Sequence, residues 1–539
     1  MPDLHADDPT SHAPAAPGAQ TVSLRRALAE FAHPAVTAFT VLASVALVLG
    51  RFFVTTPMWL DEALSVNIAS LPLGDLTEAL KHDGHPPLYY VLLHGWMNLF
   101  GDGNLAVRSM SAVISVATLP LAYLAGRRIG GPRLGLTTVF VVALSPYAFR
   151  FGSETRMYSL LMLLAFAGYL LATAALVRPK PLTLVGLAVV AAAGLWTQYW
   201  ALWLIGTAGV MVLIVAWRAG RADDSQRRRA ALLTAGALIA GGLLFTPWLP
   251  TMLYQNEHTG TPWAESFRPT GLVFNALTSF AGGAYSEAQL AMLILVVLVV
   301  FALFGHANTD SSDTIVLRFN RLQADTVMPA TLTLGTIALA SAVALYNKMA
   351  FAPRYAAVFF PFFALLVALG VNRFRNGATR NVAVASLVLG SIAGVFFVLY
   401  QERSQAGVVA EGIESRADSG VVLACPAQLG PSLGRELDTT RFELLSYPIL
   451  DNPRFVDWVD YAERNAGLDP AAIAQQVLER AGDRPIFVAF GDAFLTFKGQ
   501  CEQVVGHLAT QRPTEQVVAA EPERFYEPIR LVMAAAPAA

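Results

Sequence analysis

The sequence holds 539 residues, 55% of them hydrophobic and only 14% charged, with a formal net charge of −2. A soluble chain carries nearer a quarter of its residues as charge, so the composition excludes an ordinary soluble enzyme and implies a polytopic membrane protein. The net charge says little about partners, because the two signs are segregated along the chain.

Residues 1–33 begin with a Pro/Ala-rich polar stretch and are expected to form a disordered cytoplasmic N-terminus. They lack the basic, apolar and small-residue pattern of a cleavable signal, so the first apolar helix is expected to stay as an anchor. Runs of about twenty apolar residues can span a bilayer. They recur at 34–54, 105–126, 132–149, 157–177, 182–198, 200–217, 230–250, 287–304, 328–346, 355–372 and 382–400. That is about eleven crossings in a transmembrane region covering 34–400. The loops near 25, 127, 178, 221–229, 318 and 375 hold seventeen Lys and Arg, the alternate loops six. The positive-inside rule puts the first set in the cytoplasm. The N-terminus is then cytoplasmic. The first outer loop, 55–104, and the turns near 150 and 350 lie outside, as does the region 401–539.

The first outer loop carries the polar stretch from Trp59 to Tyr90. It holds the adjacent carboxylates Asp61 and Glu62, a charged cluster of Asp75, Glu78, Lys81 and Asp83, and the histidines His82 and His85. Asp75-Leu-Thr-Glu78 reads as a capping box opening a helix over 76–82. Pro86 and Pro87 end it. The apolar, aromatic run 88–100 is too short to span and suits a helix lying along the interface.

Residues 401–539 change character. Short β-type runs at 421–425, 485–490 and 530–535 alternate with a helical run at 471–481, as in a soluble α/β domain. Twenty acidic residues against twelve basic ones exclude a nucleic-acid binder. Both cysteines, Cys425 and Cys501, fall here. In an oxidising compartment a disulfide is the natural reading, with two unpaired core thiols as the alternative. No CxxC or His-rich spacing suggests a structural zinc site.

Three polar sites share the outer face in this topology: Asp61-Glu62; the turn with Arg150, Glu154, Arg156 and Tyr158; and the turn with Tyr346, Lys348, Arg354 and Tyr355. A carboxylate at a low-dielectric boundary can accept a proton near neutral pH. Guanidinium groups suit phosphate through paired, charge-assisted hydrogen bonds. These are the parts needed to activate a hydroxyl and stabilise a departing phosphate. The bland alternatives are a solvated loop at Asp61-Glu62, a structural ion pair at Glu154, and lipid-headgroup cations at Lys348 and Arg354.

Five stretches in order carry a family resemblance: W-L-D-E-A (Trp59 to Ala63), H-P-P-L-Y-Y (His85 to Tyr90), the helix opening at Ala106-Val-Arg108, S-E-T-R-M-Y (Ser153 to Tyr158) and A-P-R-Y (Ala352 to Tyr355). The chain resembles the GT-C class of membrane glycosyltransferases, most closely the protein O-mannosyltransferase and aminoarabinose-transferase-like group, over roughly 35–400. The resemblance implies a polyprenyl-phosphate-linked sugar donor, an extracytoplasmic glycan, lipid or protein acceptor, and residence in the cell membrane. It puts Asp61 at the catalytic base, with Glu62 substituting or orienting, and Glu154 at the second acidic position. Arg354, with Lys348 or Arg156, falls where a cation meets the donor phosphate. His85, Tyr158 and Tyr355 are the expected substrate contacts. A divalent cation is left open, since Gln198 and Tyr199 stand where many relatives place a histidine. The tail at 401–539 lies outside the common core of the family. Its Ala/Arg/Val-rich composition suggests an actinobacterial source, and by it a donor carrying mannose or arabinose.

Two other classes compete: a transporter or flippase of lipid-linked glycan, and an inactive relative acting as a binding protein. Transporters show repeated halves and charges near the bilayer centre. Here the mid-span segments are nearly free of charge and the polar groups gather at one face, which favours the transferase.

Overall fold

The computed structural model describes residues 24–259, 268–283, 286–307, 315–347, 351–375, 377–451, 453–491, 497 and 499–537. Two helices, α1 (Leu24–Ala29) and α2 (Pro34–Gly50), lead into the first outer loop. That loop folds as three short helices, α3 (Leu60–Ala69), α4 (Leu73–Asp83) and α5 (Leu88–Phe100). Next come α6 (Asn104–Leu144), α7 (Pro146–Gly152), α8 (Tyr158–Val177), α9 (Pro181–Thr197), α10 (Ala201–Arg221) and α11 (Ser225–Leu243). After α12 (Leu249–His258) and α13 (Pro269–Ala281), α14 (Ser286–Phe304) ends in a hairpin of β1 (Gly305–Ala307) and β2 (Ile315–Leu317). The helices α15 (Val327–Asn347), α16 (Phe360–Arg373) and α17 (Gly377–Tyr400) complete the helical region. Among the described residues, six stretches are long and apolar enough to cross a membrane: Asn104–Leu144, Tyr158–Val177, Ala201–Arg221, Ser225–His258, Ala324–Val343 and Gly377–Tyr400. Four shorter apolar helices accompany them.

The long element α6 is two helices folded back on one another. The fold occurs at Gly130 and Gly131, the latter at a left-handed φ of 79°, followed by Pro132. Glycine is needed on both arms. A Cβ on Gly126 would sit 2.7 Å from the Leu134 carbonyl, and one on Gly135 would sit 2.8 Å from the Tyr123 carbonyl. The two apolar runs expected at 105–126 and 132–149 are these arms and their continuation into α7.

In the first loop the capping box does not form. Pro72 starts α4 three residues earlier than expected, so Asp75 lies inside the first turn and no side chain caps the helix. Asp75 there still suits the positive end of the helix dipole. Gly84, at φ 89°, ends α4.

The C-terminal region contains β3 (Glu402–Ser404), α18 (Ala406–Glu414), β4 (Gly420–Cys425), α19 (Gly430–Glu436), β5 (Phe442–Ser446), α20 (Tyr461–Asn465), α21 (Pro470–Ala481), β6 (Ile486–Phe490), α22 (Gln500–Ala509), β7 (Thr514–Val518), β8 (Phe525–Glu527) and β9 (Arg530–Ala534). Its main sheet runs β5-β4-β6-β9-β7, with β4 parallel to β5 and β6, and β9 antiparallel to β6 and β7. The central strands read as unbroken apolar runs because both faces are covered. Val421, Leu423, Ile486 and Val488 join the core that holds α21 and α22, while Val422, Ala424, Phe487 and Ala489 pack with α18 and α19. A separate parallel ribbon pairs β3 with β8.

Cys425, at the end of β4, is bonded to Cys501 on α22 across a sequence separation of 76. Cys425→Ser/Cys501→Ser is expected to lower stability by about 4 kcal/mol, by restoring loop freedom to the unfolded chain. Thermal unfolding of the purified protein with and without reductant checks this.

The C-terminal region sits directly on the first loop. Asn67 donates to the Arg454 carbonyl at 2.8 Å, the Trp458 amide to the His82 carbonyl at 3.1 Å, and Arg435 to the Asp102 carbonyl at 2.8 Å. A tail that composition alone sets apart is therefore docked where the polar loop residues lie.

Candidate active site

Asp61 and Glu62 occupy the first turn of α3. Neighbouring helix positions diverge by about 100°, so the two carboxylates meet different surroundings. Glu62 is fully buried. Arg108 grips it with two bonds, Nε to Oε1 at 2.8 Å and Nη2 to Oε2 at 2.7 Å, and the Thr155 amide donates to Oε1 at 2.9 Å. Burial alone would push the Glu62 pKa up, but Arg108 holds it below the ordinary glutamate value. Arg108 also donates to the carbonyls of Val54 and Thr56, tying together the loop entry, α3 and α6. Arg108→Ala leaves Glu62 as an uncompensated buried charge. It is expected to cost about 3–5 kcal/mol, read as a large drop in unfolding temperature, which Arg108→Ala/Glu62→Gln recovers in part.

Asp61 is held loosely. Its Oδ2 lies 3.6 Å from Nη2 of Arg156 and 3.6 Å from Nη2 of Arg354, and accepts no hydrogen bond. The side chain keeps 16% exposure, against 0% for Glu62. Of the adjacent pair, only Asp61 keeps part of its side chain exposed.

Arg156 is fixed from several sides. It donates to Ser65 Oγ at 2.9 Å, to the Tyr90 hydroxyl at 3.3 Å, and to Nε2 of His85 at 3.1 Å. Nδ1 of His85 lies 2.9 Å from Asp83, to which Tyr90 also donates at 2.9 Å. A neutral imidazole with its proton on Nδ1 satisfies both contacts. Burial alone would push the Asp83 pKa up, but His85, Arg156 and the Tyr90 hydroxyl hold it below the usual carboxylate range.

Arg354 enters from the turn Pro353–Val358, which the Tyr147 hydroxyl pins through the carbonyls of Pro353 and Arg354, each at 3.1 Å. Its guanidinium lies 5.5 Å from the Trp59 ring and 5.7 Å from the Tyr355 ring. Tyr355 stacks in turn on Trp200 at 5.4 Å. Tyr158 is buried beside Phe151, with Arg156 over its ring at 6.0 Å. Lys348 falls outside the described residues.

Glu154 is 1% exposed and faces Arg403 Nη2 at 3.2 Å and Arg150 Nε at 3.8 Å. Burial pushes its pKa up. Arg403 and Arg150 oppose the rise, and the nearby charges of Glu62 and Asp61 add to it. The carboxylates after the first and third expected spans thus share one electrostatic environment. The sequence offered Arg150 or Arg156 as an ion-pair partner for Glu154; Arg150 is one partner, and the closer one, Arg403, comes from 249 residues downstream, with no local signal to mark it.

Among the described residues no group of three or more His, Cys, Asp or Glu side chains is placed to hold a metal ion. The anions of the cluster are matched by guanidinium groups instead. Beside the cluster lies an apolar cavity between α8, α9, α10, α15 and α16. Leu161, Ala201, Leu332, Val358 and Phe362 are among its walls, and Val358 belongs to the same turn as Arg354.

The sequence pattern of the family described as "Dolichyl-phosphate-mannose-protein mannosyltransferase" matches residues 84–249. No curated relative matches the chain. Among solved structures, apo ArnT from Cupriavidus metallidurans is similar at 13% identity and a TM-score of 0.57, over 93% of this chain and 98% of that one. The same protein bound to undecaprenyl phosphate is similar at 13% identity and a TM-score of 0.56, over 92% and 98%. Coverage that wide extends into the region 401–539. The chain therefore has the GT-C fold seen in ArnT, and over residues 84–249 it carries the pattern of the dolichyl-phosphate-mannose-protein mannosyltransferases.

Proposed function

We propose that the chain is an integral-membrane glycosyltransferase that moves a sugar from a polyprenyl-phosphate donor to an extracytoplasmic acceptor with inversion at the anomeric carbon. The observation that carries this reading is the placement of Asp61, whose unbonded Oδ2 lies 3.6 Å from two arginines of different loops.

Asp61 takes the proton of an acceptor hydroxyl as that oxygen attacks the anomeric carbon. The bond from that carbon to the phosphate oxygen breaks, and its electron pair leaves on the phosphate. Arg354 stabilises the growing charge. A bound phosphate also competes with Asp61 for Arg354, leaving the aspartate freer to accept a proton. Arg156, locked by Ser65, Tyr90 and His85, holds Asp61 from the other side. Glu62 orients α3 through Arg108, and Glu154 with Arg403 fixes the neighbouring turn. The apolar cavity suits the isoprenoid chain of the donor. The bound undecaprenyl phosphate of the ArnT structure supports that donor class, and the family match supports mannose, with arabinose as the second sugar. The acceptor class is a cell-wall glycan, glycolipid or protein. The apolar runs support about eleven crossings in the cell membrane, and the positive-inside pattern supports an N-terminus in the cytoplasm with 401–539 outside as an α/β domain.

Purified protein in nanodiscs, given radiolabelled polyprenyl-phosphate sugar and acceptor-bearing membranes, is expected to release polyprenyl phosphate and label the acceptor. Translocation of the lipid without any transfer would overturn the reading in favour of a flippase.

A further inference from the structure

We propose that Glu527, delivered by β8 of the C-terminal region, is a positioning residue for Asp61: its carboxylate caps the first turn of α3, the turn that carries the base. The inference rests on the assignment of Asp61 above.

A helix leaves its first amides without internal partners, and α3 supplies no side-chain cap of its own. Its N-cap residue is Trp59, whose side chain makes no capping bond. The Leu60 amide instead donates to Oε1 of Glu527 at 3.2 Å, across 467 residues of sequence. The other oxygen, Oε2, accepts from Ser404 Oγ at 2.5 Å and Ser432 Oγ at 2.9 Å. One buried carboxylate thus joins α3, β3 and α19. An anion at this end of a helix is also favoured by the helix dipole.

The ribbon acts on both carboxylates of the site. In its register Ser404 lies opposite Glu527. The residue before Ser404 is Arg403, which pairs with Glu154 at 3.2 Å. The residue before Glu527 is Tyr526, edge-on to Trp59 at 5.2 Å and 5.4 Å from the Arg150 guanidinium. The C-terminal region is therefore a structural part of the site and not an appended module.

Burial pushes the Glu527 pKa up to about 7, with the charge of Asp61 adding to the rise and the two serine hydroxyls and the Leu60 amide opposing it. The charged groups on the elements around it are Asp61 and Glu62 on α3, Glu402 and Arg403 on β3, and Arg435 and Glu436 on α19. Glu527 is protonated below this pH and ionised above it, and the ionised form is the stronger cap. Turnover therefore rises with pH through about 7.

The test uses the full chain in nanodiscs with Glu527→Ala and Glu527→Gln. Losing a cap weakens the first turn, so Glu527→Ala is expected to lower kcat about tenfold with the donor KM little changed. Glu527→Gln keeps an acceptor oxygen for the Leu60 amide, so it restores most of kcat but loses the step near neutral pH. Hydrogen exchange at residues 60–62 is expected to be about tenfold faster in the alanine variant, near normal in the glutamine variant, and unchanged in α21 for both. Wild-type kcat in Glu527→Ala, an unaltered pH step in Glu527→Gln, or faster exchange spread evenly over the C-terminal sheet would each overturn the proposal. The exchange measurement needs no turnover, so an inactive wild type would reject the transferase reading and still test the cap.

Discussion

Asp61→Asn is expected to lower kcat by roughly a hundred- to ten-thousandfold, the range in which a positioned proton acceptor contributes. The substitution keeps the size and polarity of the side chain and removes only its ability to take a proton. Arg156 is held by Ser65, Tyr90 and His85 independently of Asp61, so the pocket is expected to keep its shape. Donor affinity should hold or rise slightly, because the phosphate no longer competes with a carboxylate for Arg354. Single-turnover transfer beside an equilibrium binding measurement separates the two effects. Asp61→Asn that transfers sugar at the wild-type rate removes Asp61 from the chemistry.

Arg354→Ala is expected to cost roughly a hundred- to a thousandfold in kcat, as when one preorganised donor to a developing anion is lost. Unlike Asp61→Asn it should also raise the donor KM, since the same guanidinium meets the ground-state phosphate. Arg354→Lys retains a point charge without the planar fork and should recover only part of the loss. The turn itself is pinned through backbone carbonyls by Tyr147, so loss of the side chain leaves the loop in place. Steady-state kinetics over a range of donor concentrations checks both parameters.

Much of the helical region was legible because helices that meet lipid must be apolar along their length, and each expected run falls mainly on helix, although only six helical stretches among the described residues are long and apolar enough to span. The β-runs at 421–425 and 485–490 were legible for a related reason: strands covered on both faces are apolar throughout. The capping box was misread because Asp75 and Glu78 matched the spacing while Pro72 controlled where the helix begins. Asp61 and Glu62 could be found from the residues, and the family resemblance alone put the base at Asp61. Their difference lies in helix phase and in Arg108, 46 residues away. Arg403 and Glu527 went unseen, since neither sits in a local pattern and both act only once the C-terminal region docks on the first loop. A site built from residues this far apart is written in tertiary contacts that no window of sequence contains.

The most direct measurement is a structure of the protein with a polyprenyl monophosphate bound. Phosphate density is expected within hydrogen-bonding reach of the Arg354 guanidinium, with the isoprenoid chain in the cavity between α8, α9 and α10 and the Asp61 carboxylate facing the phosphate across an open space the size of a sugar. Phosphate density at the opposite face of the helical region, or bound with Arg354 and Asp61 turned away from it, would contradict the account.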